Sequence, residues 1–161
     1  MLASRTGSRL DIAKISALTG LSIPTVAHYI ELFEQTFLIH RIPVISKNPD
    51  KEIVKAKKLF FSDNGIVARL ARISSGSLFE NAVFNQLKHK GTLSYYSLKN
   101  GKEIDFIYNN SVAFEVKETA TNADQKLVEK LALNLKINQS YIISRYPSSN
   151  FLRSIWGGTI K

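Results

Sequence analysis

Asp105, Glu115 and Lys117 are the residues of this chain whose types and spacing could do chemistry together. They fall in two apolar-rich runs, Glu103–Tyr108 and Val112–Lys117, that read as strands joined by a turn through Asn109-Asn110. Side chains alternate along a strand, so Ile104, Phe106 and Tyr108 share one face and Glu103, Asp105 and Ile107 the other. On the second run Val112, Phe114 and Val116 share a face opposite Ala113, Glu115 and Lys117. A two-residue loop would set each apolar row against a mostly polar one. A three-residue loop, Asn109-Asn110-Ser111, pairs Phe106 with Phe114 and Ile104 with Val116, which a single buried face requires. That register sets Asp105 across from Glu115, with Lys117 two residues further along the same face.

Two adjacent carboxylates raise each other's pKa unless a cation stands between them. Hard oxygen donors of this kind suit Mg²⁺ or Mn²⁺. A lysine beside the pair can stabilise a crowded phosphate or assist an attacking water. These are the parts of metal-assisted phosphodiester hydrolysis. A shared site requires Glu80, Asp105, Glu115 and Lys117 to converge in one cleft; carboxylates turned to opposite faces of the sheet exclude it. The plain alternative is an exposed sheet face with cross-strand ion pairs, each worth at most about 1 kcal/mol.

The elements that must position these residues follow from the pattern around them. Leu78–Leu87 reads as an amphipathic helix that carries Glu80 near its start, where an acid is also favoured by the helix dipole alone. Strands are expected over Leu93–Leu98, Glu103–Tyr108 and Val112–Lys117, with Asn100-Gly101 in the first turn, and a helix over Asn122–Leu135. Gln125, early in that helix, is placed to face either the same site or solvent, with solvent the expected side. Ser74-Ser75-Gly76-Ser77 is the most linker-like stretch, and it separates residues 1–72 from residues 73–161.

The first of these units reads as two short helices and a hairpin. Asp11 is placed to cap Ile12–Leu18, Gly20 to end it in the left-handed conformation, and Pro24 to open the next helix. Strands over 37–42 and 57–61 flank a lysine-rich segment, which gives the order of a winged helix-turn-helix. The second helix, from Thr25 to Thr36, carries Glu31 and Glu34 and no Lys or Arg, so it is poor in base-reading groups. Lys47, Lys51, Lys55, Lys57 and Lys58 of the hairpin can supply phosphate contacts, which position a protein without reading sequence. Nucleic-acid contact and a protein–protein or interdomain role both remain open for this unit.

Composition removes other chemistries. The 161 residues hold no cysteine, which excludes disulfides, thiolate metal sites and cysteine nucleophiles. No phosphate-binding loop of the G-x-x-x-x-G-K-[ST] kind and no G-x-S-x-G occurs, and His28, His40 and His89 lack ligand spacing. The formal charge of +9 is spread along the chain, with nine basic and five acidic residues to position 58 and thirteen and eight beyond it. No apolar run approaches the roughly 18–20 residues of a membrane span, and no charged leader with an apolar core opens the chain. A cytoplasmic protein with no membrane contact is therefore expected.

Glu80 followed by Asp105, nine intervening residues and Glu115-Val116-Lys117 resembles the PD-(D/E)xK nuclease-like superfamily. The resemblance implies a restriction-endonuclease-like α/β domain with a mixed sheet. It also implies Asp105 and Glu115 as ligands of Mg²⁺ or Mn²⁺, Lys117 as the catalytic lysine and Glu80 as an auxiliary acid. Ile104 stands where proline is usual, and Glu103 is an additional acid. A wider resemblance runs through Leu2-Ala3 to Gly7, Thr25-Val26-x-x-Tyr29, Lys58-Leu59-Phe60-Phe61-x-Asp63-x-Gly65, Gly76-x-Leu78-Phe79-Glu80-Asn81, Glu103-Ile104-Asp105-Phe106 and Glu115-Val116-Lys117. In this respect the chain is similar to the C-terminal region of bacterial and archaeal AAA-type ATPases, without the ATPase module. The expected fold class is mixed α/β, a winged helix-turn-helix unit followed by a nuclease-like domain. The expected partners are nucleic acid, DNA in the first place, and an ATPase module or another protein; oligomeric state is left open. The competing function is a non-catalytic regulatory or protein-interaction module built on a dormant nuclease fold.

Overall fold

A computed structural model describes residues 1–46, 56–146 and 153–159. A short 3₁₀ turn, Ala3–Arg5, precedes α1 (Ile12–Thr19) and α2 (Ile23–Gln35). The strands β1 (Ile39–Ile42) and β2 (Lys58–Phe61) form an antiparallel pair, followed by α3 (Asn64–Leu70). The second unit runs α4 (Ser75–Leu87), β3 (Leu93–Ser97), β4 (Glu103–Tyr108), β5 (Val112–Lys117), α5 (Asn122–Asn134), β6 (Gln139–Ser144) and β7 (Ser154–Trp156). Its five strands lie in the order 3-4-5-6-7. The first three are antiparallel, and β6 and β7 each join in parallel. The fold is therefore mixed α/β, with a five-stranded mixed sheet and a small antiparallel sheet.

Local chemistry sets the helix ends. The Asp11 carboxylate accepts the Lys14 N–H at 2.9 Å, and Gly20 takes φ +70° after α1. Ser22 caps α2, whose first turn holds Pro24, and Asp63 caps α3. The stretch expected to be a linker is the start of α4 instead. The Ser74 hydroxyl accepts the Ser77 N–H, so a serine-rich run that reads as flexible supplies a cap and a first turn. Thr121 and Asp124 close a reciprocal capping box on α5.

The sheet is covered on both faces. On one side α4 packs Phe79, Val83, Phe84 and Leu87 against Tyr95, Phe106, Val116 and Ile143. On the other, α5 packs Val128, Leu131 and Ala132 against Ile104, Ile107, Ala113 and Ile142. The first core also takes Ile42, Val44 and Phe60 from the hairpin, with the Phe60 and Phe84 rings stacked at 4.5 Å. The N-terminal unit has its own core around Ile15, Val26, Ile30 and Leu59. The two units also share backbone bonds, since Pro43–Ile45 adds to the free edge of β3 through Tyr95.

The β4–β5 turn has the expected three-residue form. Phe106 pairs with Phe114 and Tyr108 with Val112, while Asn109 and Asn110 take φ +47° and +54°. Strict alternation along β4 does not hold. Ser94 pairs with Ile107 but Tyr96 pairs with Ile104, so Tyr95 alone faces both Asp105 and Phe106. One extra residue in β4 is a β-bulge, and it reverses the alternation beyond it. Ile104 therefore joins Ile107 in the core under α5, while Phe106 lies in the core under α4.

Candidate functional site

The bulge decides where the acids go. Asp105 turns with Phe106 toward the α4 side, and its Oδ1 accepts from Lys58 Nζ at 3.2 Å. Its Oδ2 accepts the Val116 N–H at 3.0 Å and so stands in the gap between β4 and β5. The straight-across pairing of Asp105 and Glu115 on one face is therefore corrected. Glu115 keeps the alternation of Ala113 and starts from the α5 side, while Asp105 occupies the opening between the strands.

Glu80 arrives from the first turns of α4. Its position depends on Asn81, which is fully buried and bonded on every side. Asn81 Oδ1 accepts from the Thr6 hydroxyl at 2.7 Å and the Phe61 N–H at 2.8 Å, and its Nδ2 donates to the Phe61 carbonyl and to Asn64 Oδ1. That clamp fastens α4 to β2 and leaves Glu80 facing Lys58, at 3.2 Å between Oε1 and Nζ. Gly7 closes the other side of the Glu80 carboxylate. Its φ is +74°, and a Cβ there would lie 2.7 Å from Glu80 Oε2.

Lys58 sits at the centre. Its side chain is 1% exposed, and its ammonium lies 2.9 Å from Glu103 Oε1 and 3.2 Å from both Glu80 Oε1 and Asp105 Oδ1. The ammonium also stands over the Tyr95 ring at 5.6 Å. Arg9 adds a second cation on Glu103, 3.0 Å from its Oε2. The expectation that Lys58 contacts phosphate is thus corrected, because its charge is buried and already shared by three carboxylates. Lys57 is exposed, and Lys47, Lys51 and Lys55 lie outside the described residues. Glu115 Oε1 pairs with Lys117 Nζ at 2.8 Å, while Glu115 Oε2 is buried without a hydrogen-bond partner. The Gln125 side chain is half-buried rather than solvent-facing, and its Oε1 is buried without a partner too.

Burial, with the crowding of carboxylates that Lys58 and Arg9 only partly offset, shows in the titration of the group. Burial and then Asp105 push Glu80 up to about 8, against the pull of Lys58. Burial and Asp105 likewise raise Glu115 to about 7, against Lys117. Burial opposes the charge on Lys58, but Asp105, Glu80 and Glu103 together outweigh it and hold its pKa above the usual lysine range. Burial opposes the charge on Glu103 as well, and Lys58 and Arg9 outweigh it to lower that carboxyl. Lys117 is raised: burial works against its charge, and Glu115, Asp105 and Asp124 prevail. Asp105 therefore couples the Lys58 side of the site to the Lys117 side.

The carboxylates are the donors a hard divalent ion takes, but their arrangement does not fit one. Among the described residues no group of three or more His, Asp or Glu side chains is disposed to hold a metal ion. The point shared by Glu80, Glu103 and Asp105 is filled by Lys58 Nζ. Sequence reading finds Glu80, Asp105, Glu115 and Lys117 but passes over Lys58 as the central cation, Gly7 as the wall and Asn81 as the clamp. The available signal is a lysine at the edge of the apolar run Leu59-Phe60-Phe61, where a fully covered strand leaves no solvent for its head group.

Fold and site together define a mixed α/β protein in which a cation of the β1–β2 hairpin enters an acidic network of α4 and β4. Residues 1–77 match a domain of unknown function (DUF8612), and residues 75–153 match a second domain of unknown function (DUF4143). An uncharacterized protein of Haemophilus influenzae is 30% identical, the match covering 78% of this chain and 35% of that protein. The chain thus spans about a third of the length of the curated relative it matches. No solved structure matches the chain. Among the described residues no helix is long and apolar enough to cross a membrane.

Proposed function

We propose that this chain is a nucleic-acid-handling module built on a latent PD-(D/E)xK nuclease-type fold, whose motif acids do not converge in one cleft. The observation that carries the reading is Asp105. It stands where the β4–β5 ladder opens, and it raises both Glu80 and Glu115. Acids and lysine of the motif are therefore one electrostatic group, although they do not line one open cleft. Latency follows from the separation of the motif acids, since Asp105 is paired with Lys58 on the α4 side while Glu115 is paired with Lys117. The mixed sheet, with α4 before its antiparallel strands and α5 crossing to a parallel one, supports the nuclease-like assignment. The formal charge of +9 supports attraction to phosphate. The family matched by residues 75–153 is commonly a C-terminal region of AAA-type ATPases, which supports an ATPase module as partner.

A second reading, a regulatory module for protein contact, is favoured by α2. Its exposed residues include Tyr29 and Leu32, followed by Phe37 at 72% exposure, and it offers no cation to DNA. Fluorescence anisotropy with labelled single-stranded and duplex DNA and RNA, run beside a cleavage assay in Mg²⁺ and Mn²⁺, separates the two. The nucleic-acid reading expects binding that weakens steeply with salt, equal in Lys117→Ala, and no cleavage by the wild type. Absence of binding at low salt leaves the protein-contact reading. Metal-dependent cleavage lost in Lys117→Ala refutes latency.

A further inference from the structure

We propose that the cleft between β1 and the C-terminal end of α4 is a phosphate-binding site, built from Lys88 and His40 to take a phosphodiester group of a nucleic-acid strand. The inference rests on the nucleic-acid-handling reading and names the place where that reading meets phosphate. The cleft has a volume of about 190 Å³, room for one tetrahedral oxyanion with its waters. Its walls include Glu34 of α2, His40 and Arg41 of β1, Phe84 of α4, and Lys88, the residue that ends α4. Lys88 follows Glu80 by eight residues, which is roughly 12 Å along the helix at 1.5 Å per residue, so the cleft and the acidic network lie at opposite ends of α4.

Three observations carry it. Lys88 pairs with no acid among the described residues: its ammonium donates to Asn85 Oδ1 at 2.6 Å and stands over the Phe84 ring at 5.7 Å. Burial lowers its pKa, and no neighbouring carboxylate raises it again. Second, Glu34, the acid of the cleft, is already spent, because Arg41 gives both Nε and Nη2 to its Oε2. Third, His40 packs on the same Phe84 ring, 5.5 Å between centroids, and its free nitrogen is a proton acceptor. The Ser62 hydroxyl donates its one proton to the Phe37 carbonyl, so its oxygen accepts from His40 Nε2 at 3.0 Å. Neutral His40 therefore carries its proton on Nε2, and Nδ1 is the nitrogen that gains one. Burial and then Lys88 lower the His40 pKa, with His89 adding to them and Glu34 opposing. An anion between Lys88 and His40 reverses that repulsion and favours the doubly protonated ring. The dipole of α4 accounts for a lysine at its C-terminal end, but not for the histidine that a separate strand brings beside it.

The experiment is fluorescence anisotropy of labelled single-stranded and duplex DNA across a range of salt, with the intact chain as wild type, Lys88→Gln, Lys88→Arg and Lys130→Gln. Lys130 is exposed on α5, across the sheet from α4, and controls for net charge. Lys88→Gln is expected to reduce the slope of log affinity against log salt by about 1, while Lys88→Arg and Lys130→Gln keep the wild-type slope. In parallel, inorganic phosphate is titrated into wild type and Lys88→Gln while the imidazole proton resonances are followed by NMR, with His40→Gln assigning the His40 signal. Phosphate is expected to raise the His40 pKa in wild type and to leave it unmoved in Lys88→Gln. DNA binding with the same slope in Lys88→Gln as in wild type, and a His40 that ignores phosphate, overturns the site and leaves the nucleic-acid reading standing. No DNA binding by wild type, with His40 still raised by phosphate, keeps a site for free phosphate and removes the nucleic-acid reading. Silence toward both probes removes both.

Discussion

Replacing Asn81 with alanine tests whether the two units are held together by a buried amide. The side chain is 0% exposed and makes four bonds: from the Thr6 hydroxyl, from the Phe61 N–H, to the Phe61 carbonyl and to Asn64 Oδ1. Truncation orphans two donors, the Phe61 N–H and the Thr6 hydroxyl. The Phe61 carbonyl keeps a partner, because Asn85 Nδ2 also donates to it at 3.0 Å. A buried polar group left without a partner costs about 1–3 kcal/mol, so the loss should be about 2–6 kcal/mol for the pair. For a chain of this size that lowers the melting temperature by roughly 5–15 °C. Asn81→Asp keeps the acceptor toward Phe61 N–H but turns its second oxygen on the Phe61 carbonyl and Asn64 Oδ1. It should therefore cost at least as much as alanine at neutral pH. Urea unfolding followed by circular dichroism reads both. A loss under about 0.5 kcal/mol for alanine, or an aspartate variant as stable as wild type, would refute the clamp.

Glu80 and Glu115 are raised, so the folded state holds their protons more tightly than the unfolded chain does. Their stabilising contribution is fully present below about 4.5 and is lost as pH climbs to about 7 for Glu115 and about 8 for Glu80. Wild-type melting temperature should fall across that window, and Glu80→Gln should flatten the upper part of the fall; a wild-type profile that rises instead sinks the charge account. Gly7→Ala should destabilise more than Gly20→Ala, since both glycines have positive φ but only Gly7 is pressed on Glu80. The backbone part is about 1–2 kcal/mol in each, and equal losses in urea would show that Glu80 does not crowd Gly7. Deleting Ser111 forces a two-residue turn and slips β5 by one residue, which drives Glu115 and Lys117 toward the α4 core. That variant should fail to fold cooperatively, and a native-like near-ultraviolet spectrum would refute the register.

The parts of the fold governed by local chemistry are legible from residue types alone. Asp11, Gly20 and Pro24 mark the ends of α1 and α2, and the apolar rows of β4 and β5 fix a three-residue turn. What depends on long-range packing is not. The bulge at Asp105-Phe106 exists because Tyr95 faces two residues of β4, a relation between strands that neither strand states by itself. Its mark in the structure is Ile104 and Ile107, three residues apart yet on the same face under α5. β6 and β7 escape a reading by pattern because Tyr141-Ile142-Ile143 is a short run, and parallel pairing to β5 supplies the order its length does not. Ser74 misleads for a related reason, since serine favours both flexible linkers and helix caps.

Charge explains why the two units pack as one body. The second unit brings Glu80, Glu103, Asp105 and Glu115 into a buried network, and within that unit only Lys117 answers them directly among the described residues. Four carboxylates against one lysine would be costlier still to bury, since Glu80 and Glu115 are already raised with Lys58 and Arg9 in place. Lys58 and Arg9, both from the N-terminal unit, supply the missing charge, and Gly7 supplies the space. The hairpin is therefore part of the acidic centre, not an appendage beside it. Any partner that moves the hairpin must also replace its cations.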